Sequence, residues 1–313
     1  MSQAHRVFSA EFLASAGTPS VDLVEASLLQ GDRAAAAAQL KTQRNEYWGM
    51  FYNYRGWQRR LLAAFDEGGV TSAAQACQRV DVPDAPERAV KTDTLLDGWS
   101  ATLEQLGKLV EQGDVNDAIA LNRDWYNEAL AAHDGMMSRV NGLLSEYYRA
   151  HGTDATLTLL QEVMDVTAFD PDGTLPFKEK VEKLVYFTRV HLLPFALVED
   201  DEKVTFMPDP CPSGARLIRA GHYEAPRNAA IVTDSGPATY GMDSLPVYCC
   251  HEPAMEISSW LHTGTPVFIV DPPEQGLGVT PCKIYVYKNK ADIPARFYQR
   301  LGLQKQGDVI ARA

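Results

Sequence analysis

Pro194-Phe-Ala-Leu-Val-Glu199-Asp-Asp-Glu-Lys203-Val-Thr-Phe-Met207 decides how this chain of 313 residues divides. Two short apolar runs, Phe195-Ala-Leu-Val-Glu and Lys203-Val-Thr-Phe-Met, are joined across Asp200-Asp-Glu and read as a β-hairpin. The residues before it read as helix, from Pro176 to Leu193, with Pro194 as the stop. A helical first part therefore gives way here to a part built with strands.

Upstream, residues 20 to about 165 read almost entirely as helix. Ser20 and Asp32 are candidate N-caps, each opening a run rich in Ala, Leu, Glu and Gln. The run from Asp32 to Phe65 carries Tyr47, Trp48, Phe51, Tyr52, Tyr54 and Trp57, too many apolar positions for a thin amphipathic stripe. It is expected at the centre of a bundle, with turns at Glu67-Gly-Gly-Val and Asp81-Val-Pro-Asp-Ala-Pro. Gln30-Gly31-Asp32 followed by Asn45-Glu46 is echoed by Gln112-Gly113-Asp114 followed by Asn127-Glu128, the plan of two αα-hairpins.

Downstream, further strands are expected at Ala215 to Arg219, Ala229 to Thr233, Pro246 to Cys249, Pro266 to Val270 and Lys283 to Tyr287. Helices are expected at Pro253 to His262 and Pro294 to Leu301; Pro253 suits a first helical turn, where its missing N–H is not needed. The fold class that results is α+β. An α-helical domain spans 1–195, and a smaller domain over 196–313 has a mainly antiparallel sheet and a Cys/His metal site.

The hydrophobic content of 45% and charged content of 22% are those of a globular protein with a sizeable core. A formal charge of −12, with no long Lys/Arg run, argues against nucleic acid, whose phosphates need clustered cations. No stretch approaches the roughly 18 uninterrupted apolar residues of a membrane span. The N-terminal Met1-Ser-Gln-Ala-His-Arg-Val-Phe has no secretory apolar core, so a cytoplasmic setting with reduced thiols is expected.

Four of the five cysteines fall between residues 211 and 282: Pro-Cys211-Pro-Ser-Gly, Tyr-Cys249-Cys250-His251-Glu252 and Pro-Cys282-Lys. Thiolate and imidazole are the ligands that zinc prefers, and three sequence-distant loops can converge on one ion. The expected Zn2+ ligands are Cys211, Cys249, His251 and Cys282, with Cys250 and Glu252 as substitutes. Placed on a strand, Cys249 and His251 would share one face and Cys250 would take the other. Buried thiols, or a vicinal Cys249-Cys250 redox pair, are the competing readings. Cys77, within a helix, reads as structural.

Other groups carry weaker signals. His133 and Asp134 lie on a predicted helix, too far around it from Glu128 to form a Glu-x-x-His pair, although Glu46 could add a carboxylate. They read as a metal site, as polar groups lining a ligand cavity or as ordinary surface residues. Arg55, Arg59 and Arg60, interleaved with Tyr54 and Trp57, suit either an anionic aromatic ligand or a solvated face. His191 and His262 read as helix C-terminal residues complementing the dipole. Phosphate-binding glycine loops and the serine-hydrolase elbow are absent.

The expected function is a zinc-dependent enzyme acting on a small polar metabolite at the interface of the two parts, by hydrolytic, lyase or thiol-activating chemistry. Glu252 or His222 would move protons, and Arg216 or Arg55 would hold an anionic group. The alternatives are a non-catalytic binding or sensory protein with a structural zinc, and a redox protein using Cys249 and Cys250.

Overall fold

The computed structural model describes residues 6–69, 72–80, 85–164, 166, 169–211, 214–273, 275–306 and 309–312. After a short α1 (Ala10–Ser15), α2 (Ser20–Leu29) opens the bundle. Pro19, not Ser20, takes its N-cap position. The Ser20 hydroxyl is used elsewhere: it donates to Glu46 at 2.5 Å and accepts from Arg189 at 2.6 Å. Asp32 does cap α3 (Arg33–Gly68), accepting from the Ala35 N–H at 2.9 Å, and a left-handed Gly69 ends that helix.

α4 (Ala73–Val80), α5 (Ala85–Gln112) and α6 (Val115–Val163) complete the bundle. Residues 81–84 of the expected Asp81-Val-Pro-Asp-Ala-Pro break lie outside the described residues, as does Val70 of the first turn. Gly31 and Gly113, at φ +75° and +83°, turn α2 into α3 and α5 into α6, so the two Gln-Gly-Asp segments hold equivalent places in two helical hairpins. α6 changes direction at Gly152, whose φ of +78° and ψ of −173° suit glycine alone.

α3 and α6 are joined by an aromatic knot. The Tyr47 ring lies 4.8 Å from Trp125 and 5.8 Å from Trp99, all three buried. Burying each such side chain is worth about 1.5–3 kcal/mol. That outweighs exposed ion pairs such as Arg60–Glu67, worth about 0–1 kcal/mol each. Gln43 donates to Asn122 at 2.8 Å within the knot, and Asn122 donates to the Val21 carbonyl, fixing the register of three helices. α7 (Phe177–Arg189) is pinned to the bundle by Arg189, 2.9 Å from the buried Glu46 carboxylate.

The hairpin forms as read. β1 (Phe195–Glu199) and β2 (Lys203–Pro208) pair antiparallel, and burial alternates along both. The rest of the chain supplies α8 (Gly214–Arg219), β3 (Ile231–Val232), β4 (Leu245–Pro246), α9 (His251–Thr263), β5 (Ile269–Asp271), β6 (Lys283–Tyr287), α10 (Arg296–Gln299), β7 (Leu303–Gln306) and β8 (Val309–Arg312). The order β1-β2-β6-β5 makes one antiparallel sheet, so the chain is α+β.

Two expected strands are corrected. Ala215 to Arg219 lies in α8, and Pro246 to Cys249 is largely a 3₁₀ turn over Val247–Cys250. Short runs of apolar residues do not distinguish a buried strand from a buried helical turn. β7 and β8 were not expected. The larger apolar core runs from Leu61 and Val140 in the bundle into Leu217, Val232, Val247 and Tyr248, so both parts of the chain share it. A second core lies under the sheet, around Val204, Phe206, Trp260 and Val286. Among the described residues no helix is long and apolar enough to cross a membrane.

Candidate functional site

Three elements meet over a cavity of about 740 Å³. α3 presents Met50, Tyr54 and Trp57 at helical spacing; α7 and the turn after it add Tyr186, Phe187 and His191; the 3₁₀ turn and α9 add Tyr248, His251 and Met255. Leu192, at φ +63°, turns the chain directly after His191. The walls are mainly apolar and aromatic; Tyr54, His191, Tyr248 and His251 form one polar group, and Asn53 with Glu179, Glu182 and Lys183 of α7 line the cavity as well. A cleft of about 810 Å³ near Thr153, Asp234 and Arg312 has no comparable group of imidazoles and phenols among its described residues.

At this polar group His133 is fully buried. Its Nδ1 lies 3.0 Å from the Asp134 carboxylate, and its Nε2 lies 3.1 Å from Nδ1 of His191 and 3.2 Å from the Tyr54 hydroxyl. Tyr54 also meets the Tyr248 hydroxyl at 3.0 Å. Arg216, from α8, is paired with Asp134 and stands 3.5 Å from His133. Burial pushes His133 below the ordinary imidazole value despite Asp134, and it pushes His191 well below, helped by the neighbouring His133, His251 and Arg216. Burial raises the phenols of Tyr54 and Tyr248, so both remain proton donors across the working range. For Asp134, burial works against ionisation, but His133 and Arg216 outweigh it and hold the carboxyl below its usual value.

Behind His251 lies a second, much smaller cavity of about 30 Å³, lined by Cys211, Cys249, Cys282, His251 and Glu252. The three sequence-distant cysteine segments therefore do come together. Cys211 follows β2, Cys249 sits in the 3₁₀ turn, and Cys282 immediately precedes β6. A β-carbon on Gly214 would lie 2.3 Å from the Cys249 sulfur, so the start of α8 packs directly on that thiol. Burial raises Cys249, and Cys211, Cys282, Cys250 and Glu252 raise it further; burial likewise raises Cys282, with Cys211 next. None of the five cysteines is in a disulfide. Among the described residues no three His, Cys, Asp or Glu side chains are set as ligands of one metal ion. Pro212 and Ser213 of the Cys211 loop, and Glu274 of the loop before Cys282, lie outside the described residues.

Strand alternation does not apply to Cys249, Cys250 and His251, because this backbone is helical. Cys250 nevertheless does not line the thiol cavity: it is buried, its sulfur lies 3.8 Å from the Pro246 carbonyl, and burial alone pushes its thiol up to about 12. Helical spacing sets Glu252, three residues on, over Cys249. His251 donates from Nδ1 to the Tyr248 carbonyl at 2.6 Å, and its Nε2 lies 3.1 Å from Glu252. A histidine held in this way through Nδ1 keeps Nε2 as its coordinating atom.

Arg216 belongs to the polar cluster, whereas Arg55 and His222 line neither the main cavity nor the thiol cavity. His222 is buried, and its imidazole is depressed by burial and then by Arg227. Glu46 is a structural partner of Arg189, and Glu128 is exposed. Arg60 pairs with Glu67 and Glu162 on the surface. His191 is not a cation at a helix end but a neutral ring at the cavity; its apolar setting, Val190-His-Leu-Leu, was the available signal. His262 bonds the Pro171 carbonyl at 2.6 Å. Searches of protein-family models, curated proteins and solved structures found no match to this chain.

Proposed function

We propose that the protein is an enzyme that holds one Zn2+ through Cys211, Cys249, Cys282 and His251, and that it acts on a small molecule bound in the 740 Å³ cavity. The observation that carries this reading is the convergence of three thiols, from three separate segments, behind the histidine that lines both cavities. A dication would displace the protons of these thiols and draw the thiolates onto itself, and site assembly would add to folding free energy. Glu252 is the alternative fourth ligand, and its pairing with His251 would have to open for imidazole to bind.

Three thiolates supply so much charge that such an ion is a poor Lewis acid. Its role is then to fix the turn carrying Tyr248 and His251, while chemistry belongs to the cavity. The apolar walls favour a largely apolar molecule with one polar end over the small polar metabolite expected with a zinc-dependent enzyme. The polar group offers phenol and imidazole, and the cations nearby, Arg216 and Lys183, are engaged by Asp134 and by the Phe169 carbonyl. That suits a neutral head group.

Elemental analysis of protein purified without added metal tests the ion, with Cys211→Ser and Cys282→Ser alongside. One zinc per chain, lost in both variants, is the expected result; a metal-free wild type with titratable thiols sinks the zinc reading. Uptake of the neutral dye N-phenyl-1-naphthylamine tests the cavity. Fluorescence enhancement that is reduced in Trp57→Ala is expected, and its absence counts against a binding cavity.

A further inference from the structure

Asp134, His133 and His191 form one unbroken line from the protein surface to the apolar cavity, and we propose that this line is a proton wire, with His191 the acid–base residue that meets the bound molecule. The inference deepens the reading of the cavity as a binding site and rests on it. It does not depend on zinc.

The hydrogen-bond bookkeeping sets the direction. A carboxylate only accepts, so Asp134 at 3.0 Å fixes a proton on Nδ1 of His133. Arg216, at 3.5 Å from the same nitrogen, is at the limit of a hydrogen bond and donates its hydrogen bond to Asp134 instead. Nε2 of His133 is then an acceptor. Nδ1 of His191, 3.1 Å away, donates to its single lone pair, and the Tyr54 hydroxyl donates instead to Tyr248 at 3.0 Å. With Nδ1 of His191 occupied, its Nε2 is the atom left for the cavity that His191 lines. At the far end the Asp134 side chain is 46% exposed, so the line reaches water.

The step balances without any oxidant, reductant or metal. An acidic C–H or O–H bond of the bound molecule breaks, its electron pair stays on that molecule, and the proton joins Nε2 of His191. The Nδ1 proton of His191 passes to Nε2 of His133, the Nδ1 proton of His133 passes to Asp134, and Asp134 releases a proton to water. The reverse sequence returns one. The chemistry that fits is proton transfer on a neutral, largely apolar molecule, such as enolisation next to a carbonyl, with Tyr248, which accepts from Tyr54 and keeps its own proton uncommitted, as hydrogen-bond donor to the developing oxyanion. The depressed basicity of His191 keeps Nε2 unprotonated through the neutral range.

The test needs no knowledge of the natural ligand. Diethyl pyrocarbonate acylates unprotonated imidazole nitrogens, and peptide mass spectrometry reads the rate at each histidine. His191 is expected to react and His133 to be protected, and N-phenyl-1-naphthylamine should shield His191 but not the exposed His262. Asp134→Asn should slow His191 by about tenfold, the loss of one hydrogen bond to a charged group, and leave His262 unchanged. The pH profile of the His191 rate should move with that variant. The groups that shape the profile are His133 on α6, Tyr54 on α3, Arg216 on α8, His251 on α9, and Glu179, Glu182, Lys183 and Tyr186 on α7. Zinc content and dye uptake of Asp134→Asn should match wild type, which separates a broken wire from a misfolded chain. An unreactive His191 in a dye-binding wild type, or an unchanged rate in Asp134→Asn, overturns the wire alone. A wild type that takes up no dye overturns the cavity reading and the wire with it.

Discussion

The sulfur of Cys249 and the backbone of Gly214 are packed so closely that a β-carbon on Gly214 would stand 2.3 Å from Sγ. No side-chain pair tolerates that distance, so in Gly214→Ala the thiol must rotate or α8 must shift. Overpacking of this kind costs about 1–3 kcal/mol, against the gain of about 1 kcal/mol that alanine brings over glycine within a helix. The substitution is expected to lower stability in denaturant unfolding and to reduce zinc stoichiometry. Full metal content at unchanged stability would show that the thiol has room to move.

The hydroxyls of Tyr54 and Tyr248, 3.0 Å apart, supply a second prediction. Tyr54→Phe removes one partner and strands the other in a buried site, at a cost of about 1–3 kcal/mol. Once Tyr54 is phenylalanine, Tyr248→Phe removes a group that is already unsatisfied. The double variant should therefore be less destabilised than the two single variants added together. A double-mutant cycle by urea unfolding measures the coupling, and simple additivity would mean that the two hydroxyls do not interact.

The buried Glu46 and the partly buried Arg189, 2.9 Å apart, behave differently from surface pairs. Burial raises the Glu46 carboxyl, and Arg189 and Ser20 only partly offset this. Arg189→Met leaves that carboxylate without its cation and should cost about 3–5 kcal/mol. Glu46→Gln added to Arg189→Met should recover much of the loss, because no charge then remains to be solvated. Thermal unfolding of the single and double variants distinguishes this from a loss of packing, which the second substitution would not repair.

The hairpin at Phe195 and Lys203 was legible because period-two burial of short strands leaves a direct mark on sequence. The two long helices were legible from caps and glycine turns. The thiol cluster was legible as chemistry: cysteine types and spacing pointed to one locus, though nothing local could state which segments meet. The polar group at the cavity was not legible as a unit, because Tyr54, His133, His191 and Tyr248 come from four separate elements and each has an ordinary local explanation. Val247–Cys250 was misread because a buried 3₁₀ turn and a buried strand share the same apolar composition. β7 was missed because Gln304 and Lys305 are exposed and polar, so no alternation of hydrophobic residues announces it.

Glu256 gives the protein a pH dependence of unusual sign. Its carboxylate is buried among the Tyr240 hydroxyl at 2.6 Å, the Val270 N–H at 2.7 Å and Arg300 at 3.3 Å. Burial dominates over Arg300 and pushes the carboxyl up to about 7. In the unfolded chain the same group titrates near 4.5, so between these values the folded state binds more protons than the unfolded one. The stability due to Glu256 is fully present below about 4.5 and is lost as pH rises through about 7. Glu199 acts in the opposite sense and in a lower window. Burial alone would raise it, but Lys288 and the N–H groups of Val7 and Phe8 hold it below its usual value, so its contribution is lost as pH falls beneath the ordinary carboxylate range. The depressed imidazoles of His133, His191 and His222 act in the opposite sense across this interval, so the Glu256 contribution is read as a difference: the urea midpoint of wild type relative to Glu256→Gln should fall as pH rises from about 4.5 through about 7. A difference that stays level across the interval would place the Glu256 titration below it.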